Sequence, residues 1–337
     1  MRGEKFILMD GKGFSLIELL VAMAMSGLVA MAAYTVFSTS NWSSAVQEQV
    51  SEAQQNVRVG MDRLSADIRV AGFGLPDPPF SLDFNGNAFT GPITITNSST
   101  DPDTITVLGI GFEAAALEND ADNNGTVDDA DCNGSGDNFI CLDSVTNTNN
   151  FYNDDQSAFL AVRRHVSLDG VRYFQLDTVG HDRANKKLKL VDSTFLDRDC
   201  RDGVKVYILQ AVRYAIATDF GGCSAANPCL TSADFTMLRG GSTPGARQVM
   251  AESIEDLQFA YSLDGSPNFT NSASSNSTDI VAVRASIVGR TRAPDFKAVS
   301  VSSRPAMEDR AAAGNTDGYR RRTLTSIIKV RNPKTGS

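Results

Sequence analysis

The chain has 337 residues, a net charge of -9 and a pI near 4.8. Its length allows one or two domains with a sizeable core, and its acidity excludes a generally basic nucleic-acid surface. Five cysteines, none of them in the amino-terminal apolar run, fit an oxidising compartment.

Residues 1–13 form a short polar leader. Arg2, Lys5 and Lys12 make it basic enough to stay cytoplasmic, although Glu4 and Asp10 dilute the charge. Residues 14–37 are an apolar run, and crossing a bilayer as a helix takes about 20 residues. Glu18 is the only charged residue in that run. A carboxylate inside lipid costs roughly 2.5–3.5 kcal/mol, so such a group marks a function and a partner. A secretory signal has a shorter apolar core and a small-x-small cut site. A plain anchor leaves the glutamate without a role.

Gly13-Phe14-Ser15-Leu16-Ile17-Glu18-Leu19-Leu20-Val21-Ala22 resembles the class III signal of type IV pilins and type II secretion pseudopilins. The resemblance implies that a prepilin peptidase cuts between Gly13 and Phe14 and methylates the new Phe14 amine. Glu18 then becomes the fifth residue of the mature chain. A buried carboxylate is tolerable when paired, so Glu18 of an incoming subunit is expected to neutralise the Phe14 ammonium of a subunit already in the filament.

The helix is expected to continue past the membrane. Val46, Val50, Ala53, Val57, Met61, Leu64 and Ile68 recur in steps of three and four, the mark of an amphipathic helix. Gln47, Glu48, Gln54, Gln55, Arg58 and Asp62 suit its solvated face. The end is expected near Gly72-Phe73-Gly74, with Pro76, Pro78 and Pro79 blocking resumption. Residues 14–70 would span about 85 Å. Gly27 and Gly60 are expected weak points, each costing roughly 1 kcal/mol against alanine.

Beyond Pro79 the period changes to two. Alternating, β-branched stretches predict strands at 92–97, 103–110, 158–165, 171–178, 186–191, 204–216, 253–263, 280–288 and 323–330. The Asn/Ser/Thr-rich stretch 268–278 reads as a flexible loop. One long helix followed by strands gives an α+β layout, with a mainly antiparallel sheet packed on the helix. No 20–50-residue repeat is present. Residues 64–73, 254–261 and 322–332 resemble PilW-type minor pilins. The J-type pseudopilin of type II secretion shares this plan and is the alternative. The domain reading is a leader at 1–13, a helix at 14–72 with 14–37 in membrane or filament core, and a β-rich head at 73–337 with an insertion at 112–153.

Within the insertion, Asp120, Asp122, Asn124, Gly125, Thr126, Asp128 and Asp131 follow the spacing of a calcium loop, with aspartate at the closing position. Calcium takes six to eight oxygens at flexible distances, which alternating carboxylates supply. Asp120, Asp122 and Asn124 offer side chains, Thr126 its backbone carbonyl, and Asp128 a direct or water-mediated contact. Asp131 closes the site. The competing reading is a solvated acidic loop. Calcium is the only cofactor expected.

Cys132–Cys141 and Cys223–Cys229 are the favoured local disulfides, with Cys200 left over, although sequence does not fix connectivity. No CxxC pair or nearby histidine supports zinc. His165 and His181 have no nearby cysteine or G-x-S-x-G serine to activate, and no phosphate loop is present. An enzyme is not expected. Arg320, Arg321, Arg322, Lys329 and Arg331 read as a solvated strand edge rather than a DNA-binding patch.

The resemblance therefore implies a minor pilin precursor inserted in the inner membrane, head in the periplasm, then carried to the pilus and cell surface. Its expected partners are prepilin peptidase, other major and minor pilins and the inner-membrane assembly platform. A membrane-anchored, calcium-dependent binding protein that never polymerises is the alternative of another class.

Overall fold

The computed structural model describes residues 15–77, 79–84, 86–118, 139–152, 156, 158–170, 172–191, 203–236, 247–263, 267–271, 274–277, 280–295, 302–314 and 316–331. The chain divides into two compact units, Met1–Gln49 and Val50–Ser337, with the boundary inside the first helix.

That helix, α1, runs Leu16–Val70. It stops where Gly72 and Gly74 take positive φ values of 83° and 79°, a conformation that glycine adopts without a Cβ penalty. Arg69 sits in the last turn, where a cation complements the helix dipole. The Gly72 amide then donates to the Leu108 carbonyl at 2.9 Å, turning the chain into the sheet.

Among the described residues of the second unit every strand pairing is antiparallel. The largest sheet places Arg247–Glu252, Cys229–Asp234, Lys205–Ala217, Thr104–Ala116, Ile93–Thr96 and Ser274–Ser277 side by side. The hairpin His165–Leu168 with Arg172–Gln175 joins it along Lys205–Ala217. A second sheet holds Ile254–Ser262, Ala282–Arg290 and Arg321–Lys329 in that order. Val57, Met61, Leu64 and Ile68 of α1 meet Ile93, Ile105 and Val107 of the first sheet and Leu257, Phe259, Val283 and Ile287 of the second in one core. Each such side chain contributes about 1.5–3 kcal/mol when fully buried. A separate core gathers Leu117, Ile140, Leu142, Phe151, Val166, Leu188 and Ile208.

The α+β class and the antiparallel sheets follow the sequence reading; several local expectations change. Residues 158–165 hold the short 3₁₀ turn Ala161–Arg163 before the strand His165–Leu168. Ser274–Ser277, inside the expected flexible loop, pairs with Ile93–Thr96. Phe112–Ala116, the start of the expected insertion, continue the central strand opposite Ile208–Lys205. Gly60 is also a point of close approach: a Cβ there would lie 2.9 Å from Leu230 Cδ2. Gly289 does the same from the sheet side, its hypothetical Cβ 2.4 Å from Val57 Cγ2.

Candidate functional site

Among the described residues of the first unit none is buried. Residues 15–37 are all exposed, Leu16 by 80% and Ile17 by 71%. This half of α1 contains a window of mean hydropathy 2.1, long and apolar enough to cross a membrane. Such a surface is stable only in lipid or against other apolar helices.

Glu18 lies in the first turn of α1 and closes a reciprocal cap. The Ser15 amide donates to Glu18 Oε2 at 3.0 Å, and the Glu18 amide donates to Ser15 Oγ at 3.3 Å. This is a capping box, in which Ser and Glu three apart satisfy two amides that the helix leaves unpaired. The Ser-x-x-Glu spacing that signals it is present in the sequence. The arrangement holds a carboxylate against the backbone one residue after Phe14. Gly13 and Phe14 lie outside the described residues, as do Asp120, Asp122, Asn124, Thr126, Asp128, Asp131, Cys132 and Cys200.

On either side of residues 119–138 the chain is drawn back on itself. The Glu118 amide donates to Cys141 O at 3.1 Å, and the Asp143 amide to Ala116 O at 2.9 Å. Glu118 also pairs with Lys186. Cys141 is disulfide-bonded, and the proposed Cys132–Cys141 pairing falls outside the described residues. Cys223 and Cys229 form a disulfide with Cα atoms 5.6 Å apart. Among the described residues no group of three or more His, Cys, Asp or Glu is placed to hold a metal ion.

Both histidines are hydrogen-bonded within the fold. His165 is buried, contacting Tyr173 Oη at 2.8 Å and Asp83 O at 3.0 Å, and burial pulls it down to about 4. His181 accepts the Lys189 amide on Nδ1 at 2.9 Å, which leaves Nε2 to donate to Asp177 O. Burial lowers it too.

Two features of the second unit were missed from sequence. Asp103 is completely buried where the sheets meet: its amide donates to Leu257 O at 2.8 Å, and its carboxylate accepts from the Ser98 and Phe259 amides at 2.7 and 2.8 Å. Burial pushes this carboxyl up to about 6. Asp256, also fully buried, receives Arg304 at 3.0 Å and Arg310 at 2.6 Å. Together with Arg284–Glu308 and Arg321–Asp317, these pairs tie residues 302–319 to the second sheet, while Arg321 also pairs with Glu255 and Arg320 with Asp295. Arg320 and Arg321 are thus committed to ion pairs, contrary to the solvated-edge reading; the Arg321 side chain is 6% exposed. The signal available was an excess of arginine and carboxylate in and around these strands.

Residues 213–332 match the family model described as Type IV Pilus-assembly protein W, and residues 9–34 match the Prokaryotic N-terminal methylation motif. The chain is PilW-like over the disulfide, the second sheet and its ion pairs, and its amino-terminal motif supports membrane anchoring. No curated protein matches. A type IV-like pilin from Thermus thermophilus is similar at 10% identity and a TM-score of 0.37, covering 84% of this chain and 98% of that one.

Proposed function

We propose that this chain is the precursor of a minor type IV pilin. In this reading a prepilin peptidase cuts after Gly13 and methylates Phe14, and α1 enters a filament alongside other pilins. The observation that carries it is a first-turn carboxylate heading a helix whose apolar half is wholly exposed, beneath a methylation motif. The function is assembly rather than turnover. The apolar half of α1 supplies packing, and Glu18 supplies register by exchanging its local amide for the Phe14 ammonium of a neighbour. The route runs from inner membrane and assembly platform to pilus, with the head contributing to initiation, motility or adhesion.

The same reading assigns calcium to Asp120, Asp122, Asn124, Thr126, Asp128 and Asp131. Its support is the spacing of these oxygen donors, together with the hydrogen bonds that pin Glu118 and Asp143 on either side.

A Gly13→Leu variant tests the maturation step. It is expected to stay at precursor size and outside filaments. A mature-size product from that variant would refute the cut site.

A further inference from the structure

The two outer edges of the second sheet are built differently. Along Ile254–Ser262 the outer backbone groups are capped. Leu257 O accepts from Asp103, the Phe259 amide reaches the Asp103 carboxylate, and Tyr261 exchanges two hydrogen bonds with Thr270. Along Arg321–Lys329 they are not. That strand pairs with Ala282–Arg290 in unbroken register, from Arg290 opposite Arg321 to Ala282 opposite Lys329. Bonds of 2.9 Å from the Thr291 amide to Arg320 O and from the Val330 amide to Val281 O show that even-numbered residues face the neighbouring strand. Hydrogen bonding alternates along an antiparallel strand, so Thr323, Thr325, Ile327 and Lys329 aim their amides and carbonyls outward. Among the described residues none of these outward groups has a hydrogen-bond partner.

The free strip has definite ends. Arg322 Nη1 donates to Arg321 O at 3.1 Å, and the Arg331 amide donates to Arg69 O at 3.0 Å, closing the strand on the end of α1. The edge has no bulge and no proline, two of the devices that normally blunt an edge strand. What it does carry is positive charge. Arg322, Lys329, Arg331 and the adjoining Arg69 are exposed, and none has a carboxylate partner among the described residues. On a chain of net charge -9 this is a local reversal of sign. Two copies of the edge laid together would bring like charges close, which disfavours self-pairing.

We propose that Arg321–Lys329 is an interaction edge that accepts, by strand addition, an extended acidic segment of a different polypeptide. Backbone hydrogen bonds to residues 323–329 supply the pairing, and Arg322, Lys329 and Arg331 select for carboxylates on the incoming strand. This inference is independent of the maturation and pilus reading.

The test uses the full chain in detergent micelles and a fluorescent peptide as long as the strand, alternating glutamate with threonine or valine. Binding is read by anisotropy and by amide exchange at Thr323, Thr325, Ile327 and Lys329. The expected result is salt-sensitive binding that slows exchange at these four amides. Thr325→Pro removes one outward donor and the 2.9 Å hydroxyl contact with Ser286 but leaves the inner backbone ladder intact, which an edge strand tolerates; it is expected to weaken binding at least about tenfold. Arg322→Glu with Lys329→Glu is expected to do the same, and it decides the matter if the proline variant does not fold. Outward amides already protected without peptide would overturn the proposal. So would a short DNA duplex that binds through Arg322 and Lys329 and is indifferent to Thr325→Pro, because that outcome describes a charge patch alone.

Discussion

Replacing Glu18 by glutamine separates two roles that an alanine substitution merges. In the structure the Glu18 side chain accepts the Ser15 amide at 3.0 Å and the Glu18 amide returns to Ser15 Oγ at 3.3 Å. Glutamine accepts the same amide, so Glu18→Gln keeps the capping box and removes only the charge. Losing the cap, as in Glu18→Ala, costs about 1 kcal/mol, a factor of roughly five in any equilibrium that needs the first turn. A carboxylate and an ammonium 4 Å apart at an effective dielectric constant near 20 attract by about 4 kcal/mol. The charge is therefore the larger effect if Glu18 meets a neighbour's Phe14 amine. Removing it also lightens membrane insertion, so the precursor level in the membrane is expected to hold. The assay is the ratio of protein in sheared filaments to protein in membranes. Glu18→Gln is expected to lower that ratio at least about tenfold, nearly as far as Glu18→Ala, since the charge outweighs the cap. Incorporation of Glu18→Gln at the unsubstituted level, with only Glu18→Ala impaired, would refute the pairing and leave Glu18 as a helix cap.

Calcium at a hundred times its dissociation constant is expected to stabilise the head by about 2.7 kcal/mol, read as a rise in unfolding temperature that chelator reverses and that Asp122→Ala with Asp128→Ala abolishes; identical melting curves with calcium and with chelator would remove the metal site. Gly289→Ala forces a methyl against Val57 and the Ala53 carbonyl and should cost about 1–3 kcal/mol in chemical denaturation. Gly60→Ala crowds the tip of Leu230 and makes ordinary contact with Ala251 and Ile287, and it gains up to about 1 kcal/mol of helix propensity, so it should be close to neutral; equal costs at the two glycines would contradict the described helix–sheet packing. Asp103, raised from 3.8 to about 6 in the folded chain, favours folding fully below 3.8, and the benefit disappears as the pH climbs through about 6. His165, lowered from 6.5 to about 4, acts in the opposite direction, favouring folding above 6.5 and losing that contribution as the pH falls toward 4. Thermal unfolding across this range should therefore show Asp103→Asn losing stability relative to the unsubstituted chain on acidification from pH 6 to 4, by about 2 kcal/mol; parallel profiles would show that Asp103 does not titrate there.

The features legible in the sequence were those that depend on local period or a short motif. The stripe from Ala53 to Ile68 reported a buried helix face because three- and four-residue steps have no other simple reading, and those residues are buried. Most longer strands announced themselves by β-branched alternation. Ser274–Ser277 did not, because its place comes from pairing with Ile93 and Ile95 rather than from its own side chains. Asp103 and Asp256 were invisible for a related reason. A buried carboxylate is defined by amides and guanidinium groups distant in the chain, Phe259 for one and Arg304 and Arg310 for the other. Arg321 shows the converse error: in sequence it belongs to a basic run, and in the fold it is enclosed by Glu255 and Asp317 while its neighbour Arg322 remains exposed.

The central claim is that α1 becomes the processed spine of a filament subunit. Mass spectrometry of the amino terminus, on protein taken from membrane and sheared-filament fractions, tests it most directly. The account predicts a chain that begins at N-methylated Phe14 in the filament fraction. A chain that still begins at Met1 there, or one cut beyond Phe37, would contradict it.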